Sequence, residues 1–266
     1  MRELLYHAIL KQQELHHIQV WENELLPYAP PVLWFGDLES QLPKIVTIGA
    51  NPSRREFLPN ADTNPHNRNN YLANHVQRFY VLDLPLPDLN NIPENLLDEI
   101  INSYNSYFAS KPYATWFGAQ GGGKVEAFIN GLDASLYNND NNYRGIHIDL
   151  FPFATVSDFG AIHDLCDQHL FQTGWAQELL EHLILNINPQ KLIVFGISNY
   201  NWLLNILGID EVNPEVFEIN EKPCNVYFNN INHPLNIQLI GLSINLGNPY
   251  GWSRNDLIQL GEFVNQ

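Results

Sequence analysis

Apolar residues recur at helical spacing from residue 2 to residue 26, at Leu4, Leu5, Ile9, Leu10, Leu15, Ile18 and Trp21, and Pro27 closes the run. The pattern predicts one amphipathic helix over 2–26. Pro30-Pro31 breaks the chain, and Val32–Phe35 reads either as a short strand or as a loop anchored by its aromatics. Lys44–Gly49 is different: Ile45-Val46-Thr47-Ile48 is a continuous β-branched run, as in a parallel strand buried on both faces. Residues 50–91 turn polar and are interrupted by prolines, with Asn60, Asn64, Asn67, Asn69, Asn70, His66 and His75 crowded together and a short helix predicted near Tyr71–Phe79. Further helices are predicted over 93–109, with proline in the first turn, and over 123–131, closed by Gly131.

The second half alternates. A strand starts at Gly145 and runs into Asp149-Leu-Phe-Pro-Phe153, and helices follow over 160–187 in two pieces around Gly174. Lys191–Gly196 is a third strand, followed by a helix over 199–207. Asn225–Ile231 is a fourth, and Ile237–Ile244 reads as a further strand placed to pair with it as a hairpin. The last helix covers 253–264, with Ser253 as its N-cap and Asp256 three residues on. Strands separated by helices predict an α/β fold of three layers around a central, four-stranded, mainly parallel sheet. No internal repeat or linker is visible, so 1–266 reads as a single domain, with a core over about 32–264 and the N-terminal helix 2–26 added to it.

The 266 residues carry 13 Lys and Arg against 29 Asp and Glu, a net charge of −16. So acidic a chain repels polyanions at long range, although Arg54, Arg55, Arg68 and Arg78 could still form a local basic patch. No apolar run reaches the roughly 18 residues of a membrane span, and the start lacks a signal-peptide core. The two cysteines, Cys166 and Cys224, form no metal-spacing motif and read as buried, reduced thiols. A cytoplasmic protein without membrane, metal or cofactor is therefore expected.

Three apolar strands end in polar or proline-stiffened turns: Gly49-Ala-Asn-Pro-Ser53, Asp149-Leu-Phe-Pro-Phe153 and Ile231-Asn-His-Pro-Leu235. If the strands are parallel, the turns leave one edge of the sheet, where open α/β sheets bind ligands. Asn51, ahead of Pro52, would hold a fixed amide there. His147 and Asp149 alternate with Ile146 and Ile148, and one of the two reads as a core group.

These motifs resemble the uracil-DNA glycosylase superfamily. Gly49-Ala50-Asn51-Pro52 is similar to its first motif, Gly-x-Asp/Asn-Pro, in the variant with asparagine. His147–Thr155 looks like its central strand and substrate loop, Lys191–Gly196 like its third strand, and His233-Pro234 like its last motif. The resemblance implies a hydrolase of the DNA glycosylase kind, active in DNA repair. Such an enzyme cleaves the N-glycosidic bond of a deaminated or mismatched base flipped from DNA. Asn51 would orient the attacking water, and His233 would donate to the departing base. Gly49, Ala50, Pro52 and Ser53 would line the substrate site, Phe57 or Phe151 would stack on the base, and Arg54 and Arg55 would meet DNA phosphate. Two departures matter. Ser53-Arg54 stand where the best-known branch has Tyr-His, so strict uracil selectivity is not implied. Ser243–Gly251 also precedes the last helix, so Asn245 or Asn248 competes with His233 for the final motif. The same fold could instead serve a nucleoside or small-molecule hydrolase, or a binding protein.

Gly118-Ala-Gln-Gly-Gly-Gly-Lys124 approaches a phosphate-loop pattern, but Val125 stands where that loop needs Ser or Thr. The nearby Tyr104, Tyr107, Tyr113, Trp116 and Phe117 read as core or cleft-lining aromatics.

Overall fold

A computed structural model describes residues 1–60, 62–137, 140–231 and 237–266. The helices are α1 (Arg2–His16), α2 (Gln19–Glu22), α3 (Glu94–Asn105), α4 (Ala114–Phe117), α5 (Lys124–Gly131), α6 (Phe159–Cys166), α7 (Trp175–Ile187), α8 (Ile197–Leu207) and α9 (Arg254–Val264). The strands are β1 (Lys44–Gly49), β2 (Ala134–Ser135), β3 (Tyr143–Asp149), β4 (Lys191–Phe195), β5 (Glu215–Ile219), β6 (Lys222–Ile231) and β7 (Ile237–Leu242). The fold is α/β. The chain gathers into two compact units, one made of Met1–Phe35, Ala50–Lys111 and Asp149–Asn186, the other of Gly36–Gly49, Pro112–Ile148 and Ile187–Gln266.

The second unit holds the sheet, in the order β2-β3-β1-β4-β7-β6-β5. β1 pairs with β4, β4 with β7, and β2 with β3, all parallel. β3 also runs with β1. Arg144 N donates to Pro43 O near their starts and Phe151 N to Ala50 O past their ends, in one register. β6 and β5 are antiparallel additions. The described strands thus form a seven-stranded mixed sheet in place of the expected four-stranded parallel one. The reasons are local. β2 is only two residues long, β5 carries exposed Glu215 and Glu218 and does not read as a buried strand, and β6 returns into β7 through a connection too short for a parallel crossover. The expected hairpin does form, with Ile231 opposite Ile237. β7, not β6, is therefore the strand that lies beside β4.

Two contacts show how closely helices approach in this unit. A Cβ on Gly261 of α9 would meet Phe128 O of α5 at 2.1 Å, and one on Gly131 would meet Ile258 O at the same distance. In β7, a Cβ on Gly241 would meet the Tyr200 ring of α8 at 2.5 Å. Only glycine permits either approach. Glu126 of α5 accepts from Ser135 Oγ, Asn130 Nδ2 and Leu136 N, and burial pushes its carboxyl up from the usual range.

The first unit is helical. The predicted helix 2–26 is interrupted at Ile18, which is extended, leaving α1 and the short α2; His16-His17-Ile18 are weak helix formers. Residues 24–32 then run along the stretch that follows β3: Val156 N donates to Glu24 O, Leu26 N to Ala154 O and Val32 N to Pro152 O. The helix predicted near Tyr71–Phe79 is absent. That stretch is held by side chains, with Arg68 Nε on Leu82 O and Phe79 among Phe35, Phe57, Tyr104 and Tyr107. The break at Gly174 is present, with φ at +78°.

Candidate functional site

β1 is buried from Ile45 to Gly49, with Thr47 its polar residue there, and the next residues belong to the turn. Asn51 is half-buried. Its Nδ2 donates to Thr155 Oγ1 at 3.0 Å and lies 3.5 Å from Phe153 O. Thr155 has one hydroxyl proton, and that proton goes to Ser157 O at 2.8 Å. Thr155 Oγ1 can therefore only accept from Asn51, which places the NH2 end of the amide toward Thr155. The other end, Oδ1, receives no donor from any described residue. The amide is fixed in direction, with its carbonyl oxygen left to accept from a ligand or water.

Ser53 caps the helical turn 54–56 by accepting from Arg55 N. Within that turn, Arg54 spends its guanidinium on Val156 O at 3.1 Å and Thr63 O at 2.9 Å. This is a correction to the phosphate role expected of Arg54, because its donors tie loop to loop. Arg55 is exposed, and its side chain has no hydrogen-bond partner among the described residues. The stacking expected of Phe57 and Phe151 is likewise corrected. Both rings are wholly buried, Phe57 against Phe79 and Phe151 against Trp21 and Phe153, so neither offers a face.

Glu56 was not singled out by sequence reasoning. It is buried, and Tyr107 Oη lies 2.9 Å from both of its carboxyl oxygens, sharing its one proton between them, with Arg78 Nε 3.9 Å away. Burial pushes its pKa up to about 8, the Tyr107 bond and Arg78 oppose that rise, and the buried Asp149 adds to it. A carboxyl that holds its proton near neutrality, beside a second acid, is a recurrent feature of functional sites. Its only sequence signal was Ser53-Arg-Arg-Glu56, which reads equally well as a helix cap.

In the sheet unit, Gly49 closes β1, and Ser243–Gly251 follows β7 at the same end of the parallel strands. Asn245 is exposed there, and its Oδ1 accepts from Gly247 N at 3.0 Å. His233 lies outside the described residues. The strand before it, β6, runs antiparallel to β7, with Ile231 paired to Ile237. Both residues of the alternating pair, His147 and Asp149, are buried, and His147 has Nδ1 2.9 Å from Thr47 Oγ1 and its ring against Phe117 and Phe195. The glycine loop follows a helix, α4, where a phosphate loop follows a strand, and Lys124 Nζ donates to Thr115 O and Gly247 O. It is a structural connection. Tyr104, Tyr107 and Phe117 are core rings.

Among the described residues, all of the 13 Lys and Arg side chains but that of Arg55 donate to an acceptor, most often a main-chain carbonyl. Among the described residues no helix is long and apolar enough to cross a membrane, and no group of three or more His, Cys, Asp or Glu could hold a metal. Comparison with protein-family models, curated proteins and solved structures finds no match to this chain.

Proposed function

We propose that the protein hydrolyses an N-glycosidic bond, with Asn51 orienting the attacking water. The observation that carries this reading is the fixed amide. Nδ2 is held by Thr155, so Oδ1 stands ready to accept from a water at the end of a strand, where α/β folds place their chemistry. An amide cannot take a proton from water. It can hold water in the attacking position while positive charge develops on the sugar and negative charge on the leaving base. The resemblance of Gly49-Ala-Asn-Pro52 to the first motif of the uracil-DNA glycosylases supports the same chemistry. Ser243–Gly251, which precedes the last helix, stands beside His233-Pro234 as a second counterpart of that family's last motif.

The resemblance points to DNA carrying a deaminated or mismatched base. A second reading, a free nucleoside as substrate, is favoured by the cations. Phosphate contacts dominate DNA affinity, and here every basic side chain but that of Arg55 already donates to an acceptor among the described residues while the net charge is −16. One assay separates the readings. The protein is incubated with single- and double-stranded oligonucleotides containing uracil, hypoxanthine or mismatched thymine, and in parallel with deoxyuridine and deoxyinosine. Alkali-labile sites in the oligonucleotides support the DNA reading, and base release from nucleosides alone supports the second. Release lost by at least about 100-fold in Asn51→Ala supports the role of the amide. No release from any substrate overturns the hydrolase.

A further inference from the structure

We infer that Glu24, 27 positions before Asn51 and on no part of the turn, is a positioning residue that sets the direction of the Asn51 amide through Ser157 and Thr155. Its kinetic consequence rests on the hydrolase reading, and its structural consequence on geometry alone. Glu24 Oε2 accepts from Ser157 N at 3.0 Å and Oε1 from Ser157 Oγ at 3.0 Å. Both donors of Ser157 are thereby spent on one carboxylate, and its carbonyl is left to accept the Thr155 hydroxyl at 2.8 Å. That commits the only proton of Thr155, which must then accept from Asn51 Nδ2 at 3.0 Å. The Ser157 carbonyl can only accept whatever its own donors do, so what Glu24 fixes is the place of that carbonyl, held by the strongest bonds of the series, and with it the acceptor for the Thr155 proton. The main chain keeps the carboxylate in register, because Val156 N donates to Glu24 O at 2.7 Å and Leu25 bridges Thr155. Without the carboxylate, Ser157 is no longer gripped from two sides. Its carbonyl then drifts from the Thr155 hydroxyl, which can turn its proton elsewhere, and the Asn51 amide keeps only the 3.5 Å contact to Phe153 O to hold its direction.

The test uses the full chain labelled with nitrogen-15 asparagine. The Asn51 carboxamide signal is assigned by its loss in Asn51→Asp, and its hydrogen exchange is compared with that of free asparagine. Wild type is expected to exchange about tenfold slower, the effect of roughly one hydrogen bond. Thr155→Val and Glu24→Gln should lose that protection, and Thr155→Ser should keep it. Glu24→Asp, which retains the charge but is too short to span both donors, serves as the second variant at position 24 and should also lose protection. On any substrate that releases base, Glu24→Gln should lower kcat about tenfold with KM unchanged. Unchanged protection in the folded Glu24 variants overturns the inference whatever the activity. Protection that follows the expected series in a protein releasing no base supports the relay while removing the hydrolase.

Discussion

Two short stretches have nearly the same sequence and opposite outcomes. Ser53-Arg-Arg-Glu56 follows β1, and Ser253-Arg-Asn-Asp256 opens α9. Both place an acid three residues after a serine, the pattern of a capping box. At α9 the box closes: Asp256 N donates to Ser253 Oγ, and Ser253 N to Asp256 Oδ2 at 2.9 Å. The same carboxylate also accepts from Lys222 Nζ and Asn220 Nδ2, which pins the β5–β6 turn to the helix. The backbone bond to Ser253, then the Lys222 bond, hold its pKa down to about 2. After β1 the helical turn lasts only three residues, and Phe57 and Leu58 are wholly buried behind it. Their burial carries Glu56 inward to Tyr107, and desolvation raises its pKa to about 8. A motif of four residues therefore does not specify a charge state. What the acid meets on turning decides whether it caps as an anion or is held as a neutral acid.

The comparison can be broken most forcefully by Glu56→Ala. It removes the carboxyl that Tyr107 Oη is bonded to and opens a cavity, with an expected loss of about 2–4 kcal/mol in urea unfolding. Asp256→Ala should lose about 1–2 kcal/mol, since its bonds lie at a helix end that water can partly re-satisfy. Equal losses at the two sites would abolish the distinction. Tyr107→Phe should lose about 1 kcal/mol and push the Glu56 pKa higher, because the opposing hydrogen bond is gone.

Glu56→Gln should change stability at pH 5 by less than about 1 kcal/mol, since it replaces a neutral acid with a neutral amide. Its effect is in the pH profile. The folded pKa of Glu56 is raised, so its contribution is complete below the ordinary value of 4.5 and is lost as pH rises toward about 8. Asp256 has the opposite sign: its contribution is complete above 3.8 and is lost as pH falls toward about 2. Unfolding measured from pH 2 to 9 should show Glu56→Gln flattening the upper window and Asp256→Asn the lower. A variant that flattens the wrong window would refute its assigned charge state.

Legibility along the chain followed the distance between partners. The α9 cap was readable because Ser253 and Asp256 are three residues apart and the helix behind them has its own apolar period. The strands β1, β3 and β4 were readable because each carries a run of apolar, mostly β-branched residues that is buried on both faces, although Arg144, His147 and Asp149 interrupt it in β3. β5 was not, because an edge strand with exposed glutamates looks like a loop. The direction of β6 was implicit in its short link to β7, which leaves no room for a parallel crossover. Phe57 and Phe151 carried no mark separating a core ring from a stacking one, since both uses call for the same side chain.

Local chemistry alone specified the apolar strands, the helix cap and a stiff amide-bearing turn after β1, because each is written in neighbouring residues. Three things were left to tertiary structure: the end of the sheet at which each turn emerges, the proton carried by Glu56, and the polarity of the Asn51 amide. Each depends on a partner far along the chain, Ile237 beside Ile231 being the near exception. The orientation of a hydrogen bond or the desolvation of an acid exists only once that partner is in place.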